Sequence, residues 1–155
     1  MNVTARLGAV VLTTALSFGA ISVGSSANAT VSGFSIRNSY TGKCLNAPGY
    51  NAGLTVVTCD ENNAKQRWAN VAQEFQNRYP SLGGWCIKGQ GHEQRALLSP
   101  CRTSTETNWV VNSLNDNARV KIANSTCGYL KEMPGSVVGC GARTVADADW
   151  WYIDY

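Results

Sequence analysis

The stretch that runs from Cys44-Leu45-Asn46-Ala47 through Cys59 to Gln66-Arg67-Trp68 sets a pattern that the rest of the chain repeats twice. The first cysteines of three pairs, Cys44, Cys86 and Cys127, are 42 and 41 residues apart. The second members, Cys59, Cys101 and Cys140, are 42 and 39 apart, and Trp68, Trp109 and Trp150 follow at 41 and 41. Independent markers keeping one period are the signature of a repeated structural unit. The copies run over about 33–71, 72–113 and 114–155.

Working outward, the local signals in each copy are those of short strands. Phe34-Ser35-Ile36 and Val120-Lys121-Ile122 alternate, Leu54-Thr55-Val56-Val57 and Trp109-Val110-Val111 are rich in β-branched residues, and Trp150-Trp151-Tyr152-Ile153 closes the chain. Turn chemistry separates them, at Thr41-Gly42, Pro48-Gly49, Asn51-Ala52-Gly53, Asn115-Asp116-Asn117 and Pro134-Gly135. No window past the N-terminal segment keeps an apolar 3.6 period, so helical repeat arrays do not fit. A propeller needs typically four or more blades. Three copies therefore imply an all-β closed barrel of pseudo-threefold symmetry, with Trp68, Trp109 and Trp150 entering a common core.

The first residues read as an export signal over 1–29. Arg6 supplies a positive start, Leu7 to Val23 is apolar, and Ala27-Asn28-Ala29 offers small residues for cleavage. The remaining length, 30–155, suits one domain with a real core. Six cysteines behind such a signal imply a secreted, extracellular protein with a disulfide framework. If the copies share one geometry, each pairs its own cysteines: Cys44 with Cys59, Cys86 with Cys101, Cys127 with Cys140. The net charge of +3 is scattered without a basic run, which argues against a nucleic-acid partner. No membrane span is expected once the signal is removed.

The first copy, with Cys44-Leu45-Asn46 at one end and Gln66-Arg67-Trp68 at the other, resembles the ricin B-type lectin repeat. That family's signature is a Cys-Leu-Asp start, an internal disulfide and a Gln-x-Trp end. The likeness covers the mature chain as three units and implies a β-trefoil that binds carbohydrate. In such lectins each competent unit is a shallow cup. An Asp after Cys-Leu accepts paired bonds from sugar hydroxyls, an aromatic ring two residues before the second cysteine covers the sugar's apolar face, and an Asn before Gln-x-Trp adds an amide. Here the Asp position holds Asn46, Lys88 and Tyr129, the aromatic position Val57, Ser99 and Val138, and the Asn position Lys65, Glu106 and Asp147 or a neighbour. Every copy departs from the triad. The carbohydrate-binding residues expected are Asn46, Tyr50, Asn51 and Asn63 of copy one, with Asn62 beside them.

Catalytic and metal chemistry find little footing. His92 is the single histidine, and with all cysteines assigned to bridges no His/Cys metal set remains, so neither a metal nor another cofactor is expected. His92-Glu93 reads as a solvated loop pair, Gly89-Gln90-Gly91 as a turn, and Asp60-Glu61 and Asp147-Ala148-Asp149 as charge in polar loops; no nucleophile elbow or phosphate loop occurs. The expected partner is a glycan or glycoconjugate and the protein is not expected to be an enzyme. A second reading is the cell-binding or partner-binding subunit of a secreted toxin, alongside a catalytic subunit, since lone degenerate trefoils are similar to the binding subunits of cytolethal distending toxins. A protease inhibitor is a more distant third. Asn124-Ser125-Thr126 matches a glycosylation sequon.

Overall fold

The computed structural model describes residues 32–82, 84–142 and 147–155, so the export signal read over 1–29 lies outside the described residues. Copy one contributes β1 (Ser35–Asn38), β2 (Cys44–Asn46), β3 (Thr55–Val57) and β4 (Trp68–Val71). Copy two contributes β5 (Glu74–Asn77), β6 (Trp85–Lys88), the short β7 (Gln94–Arg95), β8 (Leu97–Pro100) and β9 (Val110–Val111). Copy three contributes β10 (Ala118–Val120), β11 (Ile122–Asn124), β12 (Gly128–Met133), β13 (Val137–Gly141) and β14 (Trp151–Asp154). Among the described residues no helix is long and apolar enough to cross a membrane.

The first and last strands of the copies form a closed barrel. β1 pairs β14, β14 pairs β10, β11 pairs β9 and β4 pairs β5, all antiparallel. The ring is completed by the Phe34–Trp68 bridge and by the Trp109 N–H, which donates to Gln73 O at 2.8 Å. Closure leaves no long exposed edge for another chain to pair with. The middle strands form three hairpins, β2–β3, β6–β8 and β12–β13, that cap one end. Where the hairpins meet, Leu54 N–H donates to Ala96 O (2.9 Å), Ala96 N–H to Val138 O (2.9 Å) and Val138 N–H to Leu54 O (3.0 Å). These three fully or nearly fully buried residues, 42 and 42 apart in sequence, mark the pseudo-threefold axis. The fold is a β-trefoil.

Three indoles fill the barrel, and they are not the three expected. Trp68, Trp109 and Trp151 are fully buried, and their Nε1–H groups donate to Leu45 O (3.2 Å), Ile87 O (2.9 Å) and Leu130 O (2.9 Å). Trp150, expected in the core, is half-buried on the outer side with Arg119 and Lys121 over its ring at 4.7 and 4.8 Å. The reason is strand parity: successive residues face opposite sides, so only one member of the Trp150-Trp151 pair can point inward. An aromatic side chain removes roughly 150–250 Å² from water, and its buried N–H needs a partner, which the carbonyls supply.

The disulfides are Cys44–Cys59, Cys86–Cys101 and Cys127–Cys140, as expected, yet the third is not equivalent to the others. Leu45, Ile87 and Leu130 correspond through their indole bonds, and Cys44 faces Val57, Cys86 faces Ser99 and Tyr129 faces Gly141 across the hairpins. Cys127 therefore sits two positions before the place held by Cys44 and Cys86. In copy three the cup positions are Lys131, Gly141 and Ala148 rather than Tyr129, Val138 and Asp147.

A second set of residues ties each copy to the one before it. Asn38, Asn77 and Asn124 end β1, β5 and β11 and are buried. Their Oδ1 atoms accept backbone N–H groups of the following turns, at Tyr40 and Thr41, at Tyr79, and at Thr126 and Cys127. Their Nδ2 groups donate to carbonyls just before a core tryptophan of the preceding copy: Ala148, then Lys65 and Arg67, then Thr105, Glu106 and Asn108. The sequon asparagine, Asn124, is thus an internal strut, and its amide nitrogen is not presented for a glycan.

Candidate functional site

Each hairpin loop leans onto the cup of the next copy, which separates the four residues expected to act together. Asn46 stays in copy one, its Nδ2 donating to Thr55 Oγ1 at 3.3 Å across the β2–β3 pair. Asn63 caps the short 3-10 turn Ala64–Gln66, its Oδ1 accepting Lys65 N–H at 3.1 Å. Gln66 pins the preceding loop, accepting Asp60 N–H and donating to Thr58 O, while Asn62 N–H bonds Asp60 Oδ1. Lys65, in the Asn position, lies over the Tyr79 ring at 5.2 Å and reaches Pro48 O. Tyr50 and Asn51 turn toward copy two. The Tyr50 ring, 61% exposed as a residue, rests on Trp85 with centroids 3.5 Å apart.

Asn51, held at a φ of 51°, lines a cavity of about 400 Å³ whose other walls belong to copy two. Lys88, Ser99 and Glu106 lie there at the Asp, aromatic and Asn positions, with Arg102, Ser104 and Thr107 around them. Lys88 Nζ and Glu106 Oε2 are 2.9 Å apart and both side chains remain partly exposed. Where the familiar cup has a carboxylate and an amide, this one has an ammonium and a carboxylate. Together they offer donors and acceptors to the same hydroxyl-bearing ligand, but with inverted charge at the base. The sequence assigns Lys88, Ser99 and Glu106 to these positions but gives no sign that they would bind, since none is of the family's own residue type.

Copy three closes its cup from within. Glu93 occupies in loop two the place of Asn51 in loop one, with a φ of 60°. Its N–H bonds Cys140 O at 2.7 Å and its carboxylate takes Lys131 Nζ at 2.7 and 2.8 Å. Lys131 is the Asp-position residue of copy three, and its side chain is only 11% exposed. Gly141 in the aromatic position makes this possible, since a Cβ there would strike Glu93 Oε1. The Lys131 hydrogen bond holds the Glu93 carboxyl below the ordinary range, against a smaller opposing effect of desolvation. His92 Nδ1 is 3.9 Å from Glu93 Oε1, so this pair is subordinate to the lysine bond. Among the described residues the one grouping of metal-type donors, Glu74 with Cys86 and Cys101, has both sulfurs in a disulfide.

Comparisons with known proteins agree with this geometry. The ricin-type β-trefoil lectin domain profile matches residues 32–132. The fold is similar to that of ThreeFoil, a designed threefold-symmetric protein, at 13% identity and a TM-score of 0.66, covering 79% of this chain and 97% of that one. It is similar to the hemolytic lectin CEL-III at 15% identity and a TM-score of 0.64, covering 78% of this chain but only 32% of that one. It is also similar to the β-trefoil lectin of the Vibrio vulnificus hemolysin/cytolysin, solved with N-acetyl-D-lactosamine bound, at 12% identity and a TM-score of 0.62, covering 78% and 92%. Curated protein sequences give no match. With its profile match, its three copies and its trefoil barrel, the chain belongs to the ricin-type β-trefoil lectin domain family.

Proposed function

We propose that the protein is a secreted, non-catalytic carbohydrate-binding protein that takes its ligand at the cup of copy two. The observation that carries this reading is the cavity over Lys88 and Glu106, rimmed by Asn51, whose chain neighbour Tyr50 packs on Trp85, the strand partner of the lining residue Pro100. An exposed aromatic beside a few convergent polar groups is what a pyranose requires, one apolar face and one edge of hydroxyls. Asn46 and Asn63, bonded within copy one, keep local roles in this proposal.

The test is a glycan array followed by calorimetric titration of the best ligand. Lys88→Met and Tyr50→Ala, both at exposed or partly exposed positions, should each weaken binding about tenfold while the fold holds, the equivalent of ~1.4 kcal/mol. Unchanged affinity in both variants, or no binding to any neutral or acidic glycan at millimolar concentration, would overturn the assignment. A second reading, the cell-binding part of a secreted toxin, draws on the hemolytic lectin and the hemolysin/cytolysin lectin among the structural relatives. Purification from the native secretion distinguishes the two: a stoichiometric second polypeptide supports the toxin reading, a lone monomer the free lectin.

A further inference from the structure

A second cavity, of about 330 Å³, lies at the seam where copy three meets copy one and shares only Ala148 with the cup positions. One wall is the turn after β1, carrying Tyr40 and Thr41, and the other is the β12–β13 hairpin, carrying Glu132, Met133 and Ser136. Tyr40 is 73% exposed, the most exposed of the protein's large apolar side chains among the described residues. Its backbone is nonetheless fixed, because the buried Asn38 Oδ1 accepts the N–H groups of both Tyr40 (3.0 Å) and Thr41 (3.1 Å).

The two walls are stitched together at two points, Thr41 Oγ1 donating to Glu132 Oε2 at 2.6 Å and Lys43 Nζ to Ser136 Oγ at 3.0 Å, and Asn38 Nδ2 ties the first wall to Ala148 O of the adjoining 3-10 turn at 3.0 Å. Such a cleft keeps its width without a ligand, so little ordering cost falls on binding. Glu132 has no ion-pair partner among the described residues, and its Oε1 makes no hydrogen bond there. A free carboxylate oxygen beside an exposed ring, with a hydroxyl across the gap, is a constellation able to hold one sugar ring.

We infer that this seam cleft is a second carbohydrate site, selective for uncharged pyranosides, in which Tyr40 covers the apolar face and Glu132 accepts bonds from adjacent hydroxyls. The inference rests on the carbohydrate-binding reading above but uses no residue of the copy-two cup. Selectivity follows from charge: the carboxylate of an acidic sugar would approach Glu132, which no cation pairs among the described residues, while the Lys43 ammonium is engaged by Ser136 Oγ, and like charges repel at short range. At the copy-two cup, Lys88 and Arg102 impose no such bar.

The experiment is a residue-resolved NMR titration of the ¹⁵N-labelled mature protein with methyl β-galactoside, methyl α-glucoside, methyl α-mannoside, methyl N-acetyl-β-glucosaminide and glucuronate. The expected result is saturable shifts of the Tyr40, Thr41, Gly135 and Ser136 amides with at least one neutral glycoside and none with glucuronate. Tyr40→Ala and Glu132→Gln should each weaken binding at these amides at least about fivefold, in line with the usual worth of an aromatic contact or a charged hydrogen bond. Tyr40→Phe, which keeps the ring, should bind as the parent does. Saturable shifts at Asn51, Lys88 and Ser104 with none at the seam would overturn this site and leave the cup standing. No shifts anywhere would overturn both, and seam shifts with glucuronate as strong as with neutral sugars would overturn the selectivity.

Discussion

Replacing Asn124 by alanine should destabilise the whole domain, although the residue lies at the end of a strand and heads a glycosylation-type tripeptide. Its two amide hydrogens serve the carbonyls of Thr105, Glu106 and Asn108 at 2.8, 3.2 and 2.7 Å, and its Oδ1 serves the N–H groups of Thr126 and Cys127 at 2.8 and 3.2 Å. Alanine returns none of these. Each net bond is worth about 1 kcal/mol, and a buried group left without a partner costs about 1–3 kcal/mol, so a loss of roughly 3–4 kcal/mol is expected. For a domain of this size that lowers Tm by roughly 10–15 °C. Thermal and urea unfolding of the disulfide-intact protein measure it, with Ser125→Ala, at an exposed neighbour, as a control expected within about 0.5 kcal/mol. A loss under 1 kcal/mol for Asn124→Ala would refute the claim that copy three is braced against copy two through this amide.

Two other outcomes follow from the geometry. Trp151→Phe removes the bond to Leu130 O and opens a void in the barrel, costing about 2–4 kcal/mol, whereas Trp150→Phe on the outer side should cost under about 1 kcal/mol; parallel urea titrations check the ranking, and its reversal would undo the corrected core. Because Lys131 lowers the folded-state pKa of Glu93, the stability it contributes is present above the unfolded carboxylate pKa and lost as pH falls through the folded one. The gap in stability between the parent and Glu93→Gln should therefore be full near neutrality and vanish in strong acid; denaturation at a series of pH values reads it, and a gap surviving at the acid extreme would contradict the ion pair's role.

Much of the architecture was legible because cysteine and tryptophan kept time. Copies one and two were readable in register from Cys44, Cys86, Trp68 and Trp109, since bridge and indole occupy matching places in both. Copy three misled for physical reasons. Two adjacent tryptophans satisfy the same spacing while facing opposite sides of a strand, and Cys127 has moved two places along its hairpin, so the cysteine beat hid the shift. The bracing asparagines were invisible to periodicity, because Asn38, Asn77 and Asn124 are 39 and 47 apart and resemble ordinary turn formers. The site was less readable still. Asn46, Tyr50, Asn51 and Asn63 are close in sequence, but the loop carrying Tyr50 and Asn51 bends over a neighbour's hairpin, a direction no local pattern encodes.

The ring formed by Leu54, Ala96 and Val138 makes the copies mutually dependent, since every member borrows its acceptor from one sibling and lends its own carbonyl to another. Cut free, a lone copy would carry a stranded donor and a stranded acceptor at its apolar tip, a penalty of several kcal/mol that water could relieve only by flooding the core. With this geometry, nothing is left dangling there only when all three copies are in place. Injury to any one tip is consequently shared by all, and parts of this protein cannot be expected to stand where the whole has fallen.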